Sequence, residues 1–204
     1  SHSLSKFKIL ELKEIEVYEP FLSGALIISE EYLHLLTIGT NKKPKFSSKF
    51  PASLVETKLA WDNLVIDKYA KKQVDIILSW INNKDLILNK WDLKDVIKPG
   101  YRALFYGPPG TGKTLTAGLI GKYTGKDVYR IDLSMVVSKW VGETEKNLAR
   151  VFDMAESKDW ILFFDEADAL FGKRTSANSG QDKYANQEVS YLLQRTEEYP
   201  GVVI

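Results

Sequence analysis

Apolar residues recur along this chain with two alternating periods. After Asp67, the positions Val74, Ile77, Leu78 and Ile81 follow i, i+3, i+4, i+7 spacing, which predicts a helix capped by Asp67. Pro99-Gly100 breaks the chain, and Ala103–Tyr106 (ALFY) predicts a short strand. A second helix is expected from about Gly112 past Leu119 and Ile120. Asp127–Leu133 (DVYRIDL) alternates and predicts another strand, and Leu148, Val151, Phe152 and Ala155 mark the next helix. Trp160–Phe164 (WILFF) is continuously apolar, as a parallel strand covered on both faces must be. Val189, Leu192, Leu193 and Thr196 share one side of a further helix, and Gly201–Ile204 begins another apolar strand. Strands alternating with helices predict an α/β fold around a parallel sheet.

Residues 1–57 have a different character. Ile9, Leu12, Ile15 and Val17 lie in an acidic amphipathic stretch, followed by an apolar run Ala25–Ile28. Leu33, Leu35 and Leu36 have helical spacing that stops at Gly39. Residues 40–53 are basic and turn-rich, with Pro44 and Pro51, and read as a linker. The expected organisation is therefore a small N-terminal segment over 1–57, possessing too few apolar positions for a core of its own, and a domain over 58–204.

Composition narrows the classes. Of 204 residues, 44% are hydrophobic and 27% charged, an ordinary globular balance. Lys+Arg number 28 and Asp+Glu 27, so no basic field advertises nucleic acid as a partner. The chain has no cysteine, which excludes disulfides and thiolate metal sites. No apolar run approaches the roughly 20 residues of a membrane helix, and the N-terminus lacks a signal-peptide pattern. A cytoplasmic protein with no membrane partner is the expectation. His34 lies outside the main domain and reads as a packing or surface residue.

Two stretches carry chemistry. The first is Gly107, Pro108, Pro109, Gly110, Thr111, Gly112, Lys113 and Thr114, which fits the phosphate-loop pattern G-x-x-x-x-G-K-[ST]. Its glycines let the backbone turn N–H groups toward phosphate oxygens. Lys113 supplies positive charge to the β/γ-phosphates and Thr114 a hydroxyl to Mg²⁺. The loop stands between an expected strand and an expected helix, whose N-terminal dipole favours the same anion. The second stretch is Ile161–Glu166 (ILFFDE). An apolar strand ending in an acid puts Asp165 at the carboxyl edge of the sheet, where open α/β folds bind ligands. There Asp165 is expected to orient the Mg²⁺ shell, and Glu166, one residue on, to polarise an attacking water.

These residues resemble the AAA ATPase family over about residues 58–204. GPPGTGKT is similar to the family's Walker A loop, FFDEAD to its Walker B strand, and SKWVGETEKN (138–147) to the signature between them. The resemblance implies a P-loop NTPase large subdomain binding ATP or ADP with Mg²⁺. It implies a nucleotide contact from Leu115 as well as the loop itself. Trp61–Ile66 resembles the family's entry segment, which places Leu64 and Val65 beside adenine. Lys139, Trp140, Val141 and Gly142 resemble the pore loop that grips a polypeptide, and Phe171–Asp182 a second channel loop, in which Lys173 and Arg174 are given no catalytic role. The implied activity is ATP hydrolysis by a ring, a homo-hexamer, that remodels a protein substrate. Val202–Ile204 resembles the start of the strand that precedes the family's γ-phosphate sensor, arginine fingers and helical lid. The expectation is thus a truncated domain with poor turnover on its own. Two alternatives stay open: a nucleotide-dependent binding module in which Trp140 only packs, and a nucleic-acid motor, which the near-neutral charge disfavours.

Overall fold

The computed structural model describes residues 9–12, 25–39, 43–47, 50–133, 143–167 and 190–204. The chain divides into two compact units, Ser1–Pro44 and Lys45–Ile204. In the first, β1 (Leu10–Leu12) pairs antiparallel with β2 (Leu26–Ile28). Helix α1 (Glu30–Ile38) follows and stops at Gly39, whose φ of 76° lets its N–H reach back to the Leu35 carbonyl. A left-handed residue at this point is what glycine supplies without steric cost.

The second unit is built on a five-stranded sheet. Its strands are β3 (Ala52–Leu54), β4 (Tyr101–Arg102), β5 (Val128–Asp132), β6 (Ile161–Asp165) and β7 (Val202–Val203), in the spatial order β3-β5-β6-β7-β4. Strands β5, β6, β7 and β4 run parallel. Helices α2 (Lys68–Asp85), α3 (Lys113–Thr124), α4 (Glu143–Lys158) and α5 (residues 190–198) cover the two faces. Asp67 caps α2 as the sequence predicts: its Oδ1 accepts from the N–H groups of Tyr69 and Ala70 at 2.7 and 2.8 Å.

The two faces explain the continuous apolar run in β6. On one face Tyr129, Ile131, Leu162 and Val203 pack against Val151 and Phe152 of α4 and Leu192 of α5. On the other, Val128, Ile161, Phe163 and Val202 meet Val74 and Ile77 of α2 and Ala117 and Ile120 of α3. Alternate side chains of each strand serve opposite cores, so neither parity is free to be polar until the strand end.

Two expectations differ from the observed fold. The sheet is mixed, because β3 runs antiparallel to β5 at one edge. Strand β3 lies in the stretch read as a linker and ahead of the boundary expected at residue 57. What draws it in is apolar alternation at Phe50, Ala52 and Leu54. Phe50 packs edge-on to Tyr129 and Trp160, with ring centroids 5.7 and 6.3 Å away, and Ala52 is fully buried. The basic, proline-containing composition of 40–53 masks that short period-two signal. The second difference is at ALFY. The strand before the phosphate loop is Tyr101–Arg102, and its ladder to β7 ends with the Ala103 N–H donating to the Val203 carbonyl at 2.9 Å.

Arg102 fastens β4 to the end of α5. Its Nε donates to the Thr196 carbonyl at 2.8 Å, and Nη2 donates to the carbonyls of Glu197 and Tyr199 at 2.8 and 2.6 Å. A cation at a helix C-terminus satisfies orphan carbonyls and complements the dipole. Burial pulls the guanidinium's pKa below its usual value, with Glu197 opposing that shift. Gly100 makes room for the arrangement: a Cβ there would lie 1.8 Å from Arg102 Nη1 and 2.2 Å from the Tyr199 carbonyl oxygen. No helix among the described residues is long and apolar enough to cross a membrane.

Candidate functional site

The phosphate-loop sequence forms an open turn between β4 and α3. Gly107, Gly110 and Gly112 have φ values of 147°, 77° and 89°, in the region that side-chain-bearing residues avoid. Gly112 is the residue before the first turn of α3, and no side chain caps it. Uncapped N–H groups at a helix start behind a left-handed glycine turn are the arrangement that binds anions. Lys113 folds back over the loop, its ammonium donating to the carbonyls of Gly107 and Pro108 at 2.7 and 2.8 Å. The Thr111 hydroxyl donates to the Pro108 carbonyl at 2.9 Å and tightens the same turn. Thr114 and Leu115 follow in the first turn of α3 and are partly exposed.

A cleft of about 660 Å³ opens beside the loop, lined among others by Val65, Asp67, Tyr106, Thr111 and Lys113. This volume lies within the range of small-molecule sites. The sequence pairs Leu64 with Val65 at this place, and the structure separates them. Val65 lines the cleft and is 94% exposed. Leu64 instead lies over Gly112, where an added Cβ would come 3.0 Å from Leu64 Cδ1. The segment before it is held to the far end of α3: Lys122 Nζ donates to the Leu59 carbonyl at 2.8 Å and the Trp61 ring sits 5.5 Å from that of Tyr123. Tyr106, which also lines the cleft, is exposed and was not singled out by motif. Its only signal is its position directly before Gly107.

The carboxylates lie at the same edge of the sheet. Asp165 ends β6, two strands away from β4, a lateral distance of about 10 Å at ordinary strand spacing. Its Oδ1 accepts from the Glu166 N–H at 3.1 Å. Arg130 Nε stands 2.9 Å from Oδ2, and Arg130 Nη2 stands 3.7 Å from Asp132 Oδ2. Glu166 is exposed and holds φ at 55°, a left-handed conformation that costs a non-glycine residue about 1–2 kcal/mol. Such strain is retained where surrounding structure imposes it, commonly at functional positions.

The donor set fits a Mg²⁺-nucleotide. Backbone N–H groups and an ammonium suit phosphate oxygens, and a hydroxyl with a carboxylate suits a hard cation. Lys113, Thr114 and the glycines are brought together on one turn. Asp165 and Glu166 are brought to the neighbouring strand end. Lys139, Trp140, Val141 and Gly142 lie outside the described residues, as do Phe171–Asp182 with Lys173 and Arg174. Arg130 is the charged contact that motif reading missed. The available signal was an Arg two residues before an Asp in an alternating strand, beside a strand ending in Asp.

Comparison with known proteins agrees with the geometry. The model of the ATPase family associated with various cellular activities (AAA) matches residues 103–203. Cell division protein C of Sulfolobus acidocaldarius is 38% identical over 110 residues, which is 50% of this chain and 29% of that protein. The proteasome-activating nucleotidase of Methanoregula boonei is 39% identical over 98 residues, 48% of this chain and 22% of that protein. The chain thus spans under a third of the length of these relatives. Among solved structures, the FIGL-1 AAA domain superposes with a TM-score of 0.54 at 23% identity, covering 74% of this chain and 49% of that one, a likeness of fold. The loop geometry and the carboxylate-bearing strand end agree with these matches, by which residues 103–203 are similar to the AAA family of ATPases.

Proposed function

We propose that this chain binds ATP and ADP with Mg²⁺ and hydrolyses ATP. We further propose that hydrolysis drives remodelling of a protein substrate by a ring of copies, six by resemblance to the family. The observation that supports this best is the left-handed glycine loop at the start of α3, with Lys113 turned into it and a cleft beside it.

The residues divide the work. Loop amides from Gly107 to Lys113 and the N-terminal turn of α3 bind phosphate oxygens. Lys113 is held over the loop by carbonyls whose bonds are exchangeable for phosphate contacts, so its charge is in place before ligand arrives. Leu115 and Val65 flank the nucleotide, and Leu64 fixes Gly112 against the entry segment. Thr114 and Asp165 are the groups that would hold Mg²⁺, which when bound neutralises charge developing on the phosphates. Glu166 stands off the strand end and accepts a proton from the attacking water. Lys139, Trp140, Val141 and Gly142 are assigned to gripping substrate, a role that rests on the family resemblance. A cytoplasmic location is part of the same reading.

The decisive experiment is Glu166→Gln, with ATP binding and ATP hydrolysis both measured. ATP binding should persist within about twofold while turnover falls by roughly 10²–10⁴, the usual worth of a general base. Turnover that survives the substitution removes Glu166 from the role.

A further inference from the structure

The alternating strand β5 carries Arg130 and Asp132 on one face, two residues apart. In the register of the sheet Arg130 stands beside Phe163, and Asp132 stands beside Asp165 of the neighbouring strand. Two carboxylates on adjacent strands, pointing to the same face at one sheet edge, repel each other. Arg130 lies between them, with Nη2 at 3.7 Å from Asp132 Oδ2 and Nε at 2.9 Å from Asp165 Oδ2. Asp165 retains only a quarter of its side-chain exposure, so water screens this contact less than it would at the surface.

The contact with Asp165 has an informative defect. Arg130 Nε is buried, and its N–H does not point along the line to Oδ2, so it forms a charge contact rather than an aligned hydrogen bond. A charge contact of this length draws Oδ2 toward the guanidinium without the angular demand of a hydrogen bond. On the other side Oδ1 is tied to the Glu166 N–H at 3.1 Å. The carboxylate is therefore braced from both ends, by the backbone of the residue assigned to activate water and by a guanidinium from the next strand.

We propose that Arg130 is a positioning residue for the Mg²⁺ site: it fixes the orientation of Asp165 and offsets the charge of Asp132, so that Asp165 presents an anionic oxygen to the cation's shell. The inference rests on the nucleotide-binding reading above. Arg130 touches neither phosphate nor the reacting water. Its effect is confined to what depends on the metal, as for the partners that orient metal-binding carboxylates elsewhere.

The test is ADP binding by the 204-residue chain, measured calorimetrically with excess Mg²⁺ and again with EDTA, for the wild type and for Arg130→Met and Arg130→Lys. A Mg²⁺ titration at fixed ADP gives the apparent metal affinity directly. Arg130→Met should weaken that metal affinity about tenfold, the lower end of the effect of removing such a partner. Metal-free ADP affinity should stay within about twofold, and Arg130→Lys should fall between. A merely structural role would lower both affinities together, and that result overturns the proposal. So does a Mg²⁺ dependence that is unchanged or stronger in the variants. Should Arg130→Met not fold, Arg130→Lys decides by the same comparison. A wild-type chain that binds no ADP overturns the nucleotide reading and this inference with it. Wild-type Mg²⁺ dependence retained in both variants overturns only this inference.

Discussion

Arg102→Met isolates the contact that ties the strand before the phosphate loop to the end of α5. Methionine keeps most of the aliphatic stem and removes the guanidinium, so the loss is polar rather than a cavity. Three carbonyls, those of Thr196, Glu197 and Tyr199, lose their donor. A hydrogen bond from a charged group contributes about 1.5–3 kcal/mol. The sum is reduced by two effects. The Glu197 contact is exposed, so water replaces it, and the guanidinium no longer has to be desolvated, the same cost that lowers its pKa. A net destabilisation of about 2–3 kcal/mol follows, roughly two bonds less the recovered solvation. In urea, with a slope of about 2 kcal/mol per molar, the unfolding midpoint falls by about 1 M at unchanged slope. Gly100→Ala should cost at least as much, because its Cβ meets both Arg102 Nη1 and the Tyr199 carbonyl oxygen. The two changes share a partner, so the double variant should be more stable than additivity predicts by about 1 kcal/mol or more. A midpoint shift below about 0.25 M for Arg102→Met, or strict additivity with Gly100→Ala, refutes the reasoning.

Two further predictions concern single positions. Gly112→Ala forces a Cβ onto a residue at φ 89° and 3.0 Å from Leu64 Cδ1; it should weaken ADP binding about tenfold, and adding Leu64→Ala should restore little, because backbone conformation outweighs the flexible contact. ADP titration of the two variants checks this, and recovery to wild-type affinity in the double variant would show that the side-chain contact dominates. The Tyr199 hydroxyl donates to the Trp160 carbonyl at 2.5 Å, and burial raises the phenol's pKa far above its ordinary value of about 10. The folded state therefore keeps this proton where the unfolded chain releases it, so the stabilisation is complete below about pH 10 and is lost as pH rises beyond it. Tyr199→Phe should lower stability at neutral pH by about 1–3 kcal/mol and flatten the alkaline decline, measured by urea unfolding across pH 8–11.

Much of the fold was legible because burial on two faces leaves a plain record. WILFF could be covered only as an interior parallel strand, and β6 with its two cores is that strand. The cap at Asp67 and the stop at Gly39 were legible for local reasons, since a side-chain acceptor and a left-handed backbone act within a few residues. The edge strand at 52–54 was not. Its three residues have too few alternations to stand out, and their pairing energy comes from Phe50, Tyr129 and Trp160, which the sequence separates widely.

The site divides in the same way. By itself the sequence determined the phosphate loop, because a turn of glycines with Lys113 and Thr114 needs only adjacent residues to create its geometry. It also determined that Asp165 ends a buried strand. Only the tertiary structure decided what braces Asp165, that Val65 faces the cleft while Leu64 lies on Gly112, and that Arg102 anchors the strand leading into the loop. Each of those contacts joins elements through register and packing, and no local periodicity encodes which strand becomes the neighbour of which.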